Sequence, residues 1–326
     1  MLVSVIMSVF NSEEYLEDSI NSILNQSFGD FEFIIIDDGS SDNSRTIIER
    51  YAAKDARIVF IKNDRNLGLA ASLNKGISIA QGQYIARQDA DDLSAVNRLE
   101  VQLNYAIRNP EVDLIGSDCL VIDVEGNVVY KSSQRLKSDN YIERILKRKG
   151  LFPHGSAFIK RSKLLEVGKY DSRFYYVQDG ELWLRLIRSG SQIRTIDQTL
   201  YLFRLSPISN AKRGSAKIMF NRILRLKYQE GFTLDMDKEL EKIQNFLENS
   251  DQQTYSYYVA GYWKSLANAS YLNNNKKWIT YKYLYRAICE KNSLFNYLKY
   301  FVLGVIYILP AFLVKSLLAN RLKFSA

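Results

Sequence analysis

Five aspartates in two short runs are the residues of this sequence best suited to chemistry: Asp37 and Asp38, then Asp89, Asp91 and Asp92. A helix cap uses one acid per loop. Capping therefore accounts for Asp42 or Asp92, but not for three acids within four residues, whose mutual repulsion calls for a cation. Carboxylate oxygens on a short loop suit Mg²⁺ or Mn²⁺, ions that keep several waters and bind substrate phosphates. Other chemistries lose their anchors. The single histidine, His154, excludes zinc sites built from several imidazoles. Neither a GxxxxGK[ST] phosphate loop nor a GxGxxG fingerprint occurs, and His154-Gly155-Ser156 is no nucleophile elbow. Two distant cysteines, Cys119 and Cys289, give no disulfide framework and point to a reducing cytosol. Acids and a divalent cation acting on a phosphorylated ligand are what remain.

These acids need a frame, and the first 130 residues supply one. Apolar runs at Val3–Phe10, Phe31–Ile36, Ile58–Lys62 and Tyr84–Arg87 alternate with helical patterns such as Leu16, Ile20, Ile23 and Leu24. That alternation predicts an α/β fold with a mainly parallel sheet and flanking helices. Ligands of such sheets gather outside the carboxyl ends of the strands, where both acidic runs fall. A helix from about Val96 to Asn109 and a turn at Glu125-Gly126-Asn127 follow. Next come a short strand at Ala157–Ile159, a helix over Gly180–Ser189 and a strand ending at Arg204. Beyond the polar stretch Ser206–Gly214 the pattern is helical throughout. The expected division is a catalytic domain over 1–215 and an all-helical region over 216–326.

Charge and hydropathy speak to partners and place. Lys plus Arg exceed Asp plus Glu by 44 − 36 = 8, which favours anionic partners. No nucleic-acid-binding motif appears, so nucleic acid is not expected. The N-terminus opens into a strand pattern at Leu2–Ile6 instead of a signal peptide. Tyr300–Val314 is apolar but shorter than the roughly 20 residues that span a bilayer. With lysines at its flanks it reads as an interfacial helix or a core helix. Aromatic and basic enrichment favours the former, hence a cytoplasmic chain in peripheral contact with the anionic inner face of the membrane.

The motif series resembles the family 2 glycosyltransferases of the GT-A fold. It runs from Val3 to Asn11 and through Ile35-Ile36-Asp37-Asp38-Gly39-Ser40-Ser41-Asp42 and Asn66-Leu67-Gly68. It continues through Gly82 to Asp92 and Arg98-Leu99-Glu100, and the match covers about residues 1–205. The resemblance implies an inverting enzyme of surface-polysaccharide or glycoconjugate assembly. Its donor would be a nucleotide-sugar, most simply a UDP-sugar, and its acceptor a glycan or lipid-linked hydroxyl. Asp37 and Asp38 would meet the nucleobase and Asp89 the ribose and diphosphate region, with Asn66, Gly68 and Arg87 lining the same pocket. Asp91 would ligate Mn²⁺ or Mg²⁺, and Asp179 would be the general base. His154, Arg204, Lys212 and Arg213 would contact acceptor or phosphate. The chain departs from the pattern at Gln178, where relatives carry Glu, and at Leu73, where many carry Arg. Two other readings stand beside this one. A sugar-nucleotide-binding subunit without activity would not need Asp179. A nucleotidyltransferase would need a glycine- and basic-rich loop near the N-terminus, which Phe10–Ser22 lacks.

Overall fold

The computed structural model describes residues 2–133, 141–147, 150–205, 214–228, 235, 237–239, 241–243, 267 and 277–289. Two compact units appear: Met1–Leu120 with Ser132–Arg204 and Phe220–Leu234, and Val121–Lys131 with Leu205–Met219 and Asp235–Ala326. The sequence-predicted residues Lys212 and Arg213, the Ser206–Gly214 loop up to residue 213, and the Tyr300–Val314 run lie outside the described residues. No described helix is long and apolar enough to cross a membrane.

The first unit begins as a regular alternation. β1 (Val3–Val9), α1 (Glu13–Leu24), β2 (Phe31–Asp37), α2 (Ser44–Ala52), β3 (Ile58–Lys62), α3 (Leu69–Ile79) and β4 (Tyr84–Asp89) follow one another. β5 (Leu93–Ser94), α4 (Arg98–Arg108), β6 (Val112–Ile122), β7 (Val128–Ser132) and α5 (Tyr141–Leu146) come next. After a 3₁₀ turn at His154–Ser156 come β8 (Phe158–Lys160), α6 (Arg161–Glu166), α7 (Gln178–Arg188), β9 (Gln192–Arg204), α8 (Gly214–Tyr228) and α9 (Lys277–Cys289). Among the described residues one sheet has the order β3-β2-β1-β4-β8-β6-β9-β5, with β7 paired to β6. The strands β3, β2, β1 and β4 are parallel to one another, while β8 runs antiparallel to β4 and β6.

The core follows from the pleat. On β1 the odd positions Val3, Val5, Met7 and Val9 join Phe31, Phe33 and Ile35 of β2 on one face. Leu16, Ile20 and Ile23 of α1 and Leu99 and Leu103 of α4 cover it. Ile6, Ile34 and Ile36 point the other way, and Gly76 lets α3 approach them: a Cβ there would lie 2.8 Å from Ile6 and 3.1 Å from Ile36. Both faces are buried, so β1 and β2 read as continuous apolar runs, each large side chain adding about 1.5–3 kcal/mol. At the amino ends of these strands Glu32 Oε1 accepts from Ser4 Oγ and from the Gln81 amide, both at 2.6 Å. Gly82 N in turn donates to Ser4 Oγ at 2.8 Å.

Strands β2 and β4 run one or two residues further than the apolar pattern predicts, so that Asp37 and Asp89 are their last residues. Val9 pairs in register with Asp37 and Ser8 with Asp89. Hydrogen bonding carries the ladder past the last apolar side chain. In the second unit Asp123 accepts from the amides of Glu125 (3.0 Å) and Asn127 (2.8 Å), which forms the predicted turn around Gly126. Tyr283 of α9 donates to Asp123 Oδ2 at 2.6 Å. Lys282 and Arg286 of the same helix pair with Glu125.

Candidate active site

At the carboxyl ends of β2 and β3, two loops are fastened into one rim. Asp37 is fully buried; its Oδ1 accepts from Ser40 N at 3.0 Å and its Oδ2 from Arg45 Nε at 2.8 Å. Asp38 is 1% exposed and accepts from Asn63 Nδ2 (2.8 Å), Leu67 N (2.9 Å) and Gly68 N (2.9 Å). Asn66 Oδ1 shares the Gly68 amide at 3.0 Å. Gly39, at φ +75°, sits so close to the next loop that a Cβ would lie 2.5 Å from the Arg65 carbonyl carbon. Only glycine tolerates that contact in that conformation. Asp42 performs the capping expected of it, accepting the first amides of α1 (Glu13) and α2 (Ser44) at 3.0 Å each.

The second acidic run is held from below and from the side. Arg98 is fully buried; its guanidinium donates to Gln102 Oε1 (3.0 Å), Gln88 Oε1 (3.1 Å), Ser94 Oγ (2.8 Å) and the Arg87 carbonyl (2.8 Å). Burial brings its pKa down to about 10. Arg87 is 2% exposed and its Nη2 pairs with Asp89 Oδ1 at 2.5 Å. Arg204 grips the loop tip. Its amide donates to Asp92 Oδ1 at 2.6 Å, its Nε donates to the Asp91 carbonyl at 2.9 Å, and its guanidinium lies 4.3 Å from the centre of the Tyr15 ring. Buried at 5% exposure, Arg204 fastens the acidic loop.

Between these acids Tyr201, fully buried, accepts the Asp89 amide at 3.2 Å. Gly155 lies against both: a Cβ there would be 1.8 Å from the Tyr201 hydroxyl and 2.8 Å from Asp89 Oδ2. Asp92 is 1% exposed, and its Oδ2 is buried without a hydrogen-bond partner. Burial first, then the charges of Asp91 and Asp89, push its carboxyl well above the ordinary range.

A divalent cation would offset that accumulation of negative charge. Among the described residues no three His, Cys, Asp or Glu side chains converge as a ready metal cage. Mg²⁺ needs no such cage, since one or two carboxylates plus substrate phosphate suffice. The hard-oxygen carboxylate of Asp91, beside the crowded charges of Asp89 and Asp92, is chemically suited to be one such ligand.

A third group faces these acids from the segment before α7. His154 Nε2 lies 2.7 Å from the Tyr170 hydroxyl, and Tyr170 is locked by a pair of hydrogen bonds between its backbone and Asn74 (2.8 and 2.9 Å). Burial, then the charge of Arg87, bring His154 down to about 4, against the opposing pull of Asp179 and Asp89. Its imidazole is neutral at physiological pH, and it feels Arg87, Asp89 and Asp179 together. Asp179 is half-buried in the first turn of α7. The N-cap is Val177, without a side-chain cap, so Asp179 is not spent on capping. Val177 holds φ +55° and ψ +23°, a left-handed conformation costing a β-branched residue about 1–3 kcal/mol. Such strain persists only where the surroundings enforce it.

The sequence-predicted residues thus fall in three sets. Asp37, Asp38, Asn66 and Gly68 form one rim; Arg87, Asp89, Asp91 and Arg204 form the acidic loop and its clamps; His154 stands electrostatically between Asp89 and Asp179. Sequence reasoning missed Asn63, Gly155, Arg98 and Glu181. Arg98 lay in the Arg98-Leu99-Glu100 motif, Gly155 beside His154 and Glu181 two residues after Asp179, so each stood next to a signal that could have flagged it.

Residues 4–168 match the family described as glycosyl transferase family 2. An uncharacterized glycosyltransferase of Methanocaldococcus jannaschii is 40% identical over 206 residues, covering 63% of this chain and 71% of that one. The O-antigen biosynthesis glycosyltransferase WbnJ of Escherichia coli is 30% identical over 218 residues, 66% of this chain and 84% of the relative. Among solved structures, S. aureus TarS 1–349 in complex with UDP aligns with a TM-score of 0.55 at 16% identity, covering 89% of each chain. The mannosyltransferase PcManGT of Pyrobaculum calidifontis, in complex with GDP-Man and Mn²⁺, aligns with a TM-score of 0.54 at 16% identity, over 88% of this chain and 86% of that one.

Proposed function

The chain belongs to glycosyl transferase family 2, and on that premise we propose that it moves a sugar from a UDP-sugar to an acceptor hydroxyl of a surface polysaccharide, with inversion. Its fold is the GT-A fold, and it is a glycosyltransferase whose relatives include enzymes of polysaccharide biosynthesis. The UDP donor is supported by the UDP complex of a structural neighbour, and the divalent ion by the Mn²⁺ in another. One observation carries the reading. Neutral His154 feels the charges of both Asp89 and Asp179, and its neighbour Gly155 packs against Asp89, which supports reading the acidic loop and the α7 carboxylate as parts of one site.

Each group then has a task. Asp37 and Asp38 serve the nucleobase end by holding the rim in shape, since both carboxylates are buried and spent on its amides, on Asn63 and on Arg45. Asn66 and Gly68 complete that wall. Arg87 orients Asp89 toward the ribose and diphosphate region. Asp91, steadied by Arg204 at its carbonyl, would hold Mn²⁺ or Mg²⁺, which when bound offsets the charge that develops on the departing diphosphate. Asp179 takes the proton of the attacking hydroxyl. Arg204 acts through the loop it clamps, and His154 acts as a neutral polar group facing the acceptor. Lys212 and Arg213 stay proposed phosphate contacts on sequence grounds.

The test is calorimetry of UDP with Mn²⁺ alongside transfer assays over a panel of UDP-sugars. Asp91→Ala is expected to abolish the Mn²⁺-dependent part of UDP binding. Asp179→Asn is expected to keep UDP binding while losing about 10²–10⁴-fold in transfer rate. Full transfer by Asp179→Asn removes the base, and UDP binding indifferent to Mn²⁺ and to Asp91 removes the metal.

A further inference from the structure

The proposed base stands within a segment whose two ends are held by one ammonium group. Lys227 Nζ lies 3.4 Å from Asp171 Oδ2 and 2.7 Å from Glu181 Oε1. Those acids bracket ten chain steps that include strained Val177 and Asp179. Glu181 is fully buried and chelated by Arg185 of its own helix, with Nη2 to Oε2 at 2.7 Å. Tyr228 adds a hydrogen bond to Oε1 at 3.1 Å. Lys227 and Tyr228 come from the carboxyl half of α8, within the first unit.

The packing around this ammonium is apolar and close. Lys227 Nζ lies 5.0 Å from the centre of the Phe174 ring, and Phe174 and Tyr176 both pack on Phe220. At Gly180 a Cβ would meet Leu224 at 3.6 Å, so α8 lies directly behind the first turn of α7. Helix geometry gives this arrangement its consequence. Residues two apart on a helix point about 200° apart, so Glu181 faces α8 while Asp179 faces the opposite side. Fixing Glu181 therefore aims Asp179.

We propose that Lys227 is a positioning residue, pinning Asp171 and Glu181 so that the chain between them holds Asp179 in its working place. This rests on Asp179 as the base. A salt bridge that served stability alone would lower thermal resistance and leave the rate of the folded enzyme unchanged. A positioning role predicts a lower rate in fully folded enzyme, because a misplacement of about 1 Å costs about 100-fold.

The experiment compares wild type, Lys227→Met, Lys227→Arg, Asp171→Asn and Asp179→Asn in the full chain. The probe is UDP with Mn²⁺, together with whichever of UDP-glucose, UDP-galactose and UDP-N-acetylglucosamine gives the fastest UDP release in wild type. Lys227→Met is expected to lose roughly 10- to 100-fold in kcat, with UDP affinity within about twofold of wild type. Lys227→Arg is expected to recover most of the loss. Hydrogen exchange supplies a readout independent of the donor: the amides of residues 178–182 exchange faster in Lys227→Met while those of β1 and β4 do not. Wild-type kcat in folded Lys227→Met, or unchanged exchange across 178–182, overturns the proposal. Should Lys227→Met fail to fold, Asp171→Asn frees that end of the bracket from Lys227 and from Arg173, its closer partner at 2.8 Å; with Arg173→Met as the control that removes the second pair alone, it is held to the same two outcomes at smaller amplitude. Asp179→Asn separates the two claims. If it is fully active, the base assignment fails; if it is inactive while Lys227→Met is fully active, only the positioning role fails.

Discussion

Replacing Gly155 by alanine adds one methyl group at the most crowded point of the site. The new Cβ would lie 1.8 Å from the Tyr201 hydroxyl oxygen, 2.4 Å from Cζ of the same ring and 2.8 Å from Asp89 Oδ2. Ordinary contact needs more than 3 Å, so the backbone at 155 or the tip of Tyr201 must move by about 1.5 Å to reach contact distance. Tyr201 has no room to yield: it is fully buried, and Arg98 lies 5.1 Å from its ring centre. Overpacking of this kind costs about 1–3 kcal/mol, and the lack of slack places Gly155→Ala at the upper end. For a chain of this size that is a fall of roughly 3–5 °C in Tm. The rate should suffer as well, since the shift is transmitted to Asp89 and a displacement of about 1 Å costs about 100-fold. Differential scanning fluorimetry and transfer assays well below the new Tm read the two effects separately. Tyr201→Phe in the same chain deletes the 1.8 Å contact but leaves the 2.4 Å one, so it should restore part of the stability and not all. An unchanged Tm together with an unchanged rate for Gly155→Ala would refute the packing argument.

Two other perturbations test the charges. His154 titrates near 4 in the fold against an ordinary 6.5. The unfolded chain therefore binds a proton that the native state refuses, and this residue makes stability fall as pH drops from about 6.5 to about 4, with a slope of up to about 1.4 kcal/mol per pH unit. His154→Phe should flatten that part of a Tm-against-pH curve, and an identical curve would show that the imidazole is not held neutral. Arg98→Met leaves the Gln102 amide oxygen without its donor and weakens the anchoring of Gln88, Ser94 and the Arg87 carbonyl. At about 1–3 kcal/mol for a buried group left unmade, the expected loss is about 3 kcal/mol, read as a lower urea midpoint. A wild-type midpoint would mean that burying the charge costs as much as its hydrogen bonds return.

The parallel strands and both acidic runs were legible because the signals are local. A buried strand must be apolar along its length, and acids that end such a strand stand out against it. What escaped depends on contacts between distant positions. Glu181 and Lys227 are 46 residues apart in the chain, and nothing in either neighbourhood announces the pairing. Arg98 sits in a helix where arginine is ordinarily a surface residue, and only the polar side chains around it explain its burial. The left-handed Val177 contradicts its own side-chain preference, so no propensity argument could place it. Asp38 was legible as an acid in the right loop, whereas its use in holding the amides of Leu67 and Gly68 required the folded rim.

The cluster of Glu32, Ser4, Gln81 and Gly82 closes the sheet at the margin away from its acids. The same strands thus carry a carboxylate at each margin: at the amino margin Glu32 is spent on hydrogen bonds within the scaffold, and at the carboxyl margin the acids edge the proposed site. A lineage of such chains can vary the residues at the amino margin without touching what is transferred, whereas a change at the carboxyl margin bears on stability and transfer together.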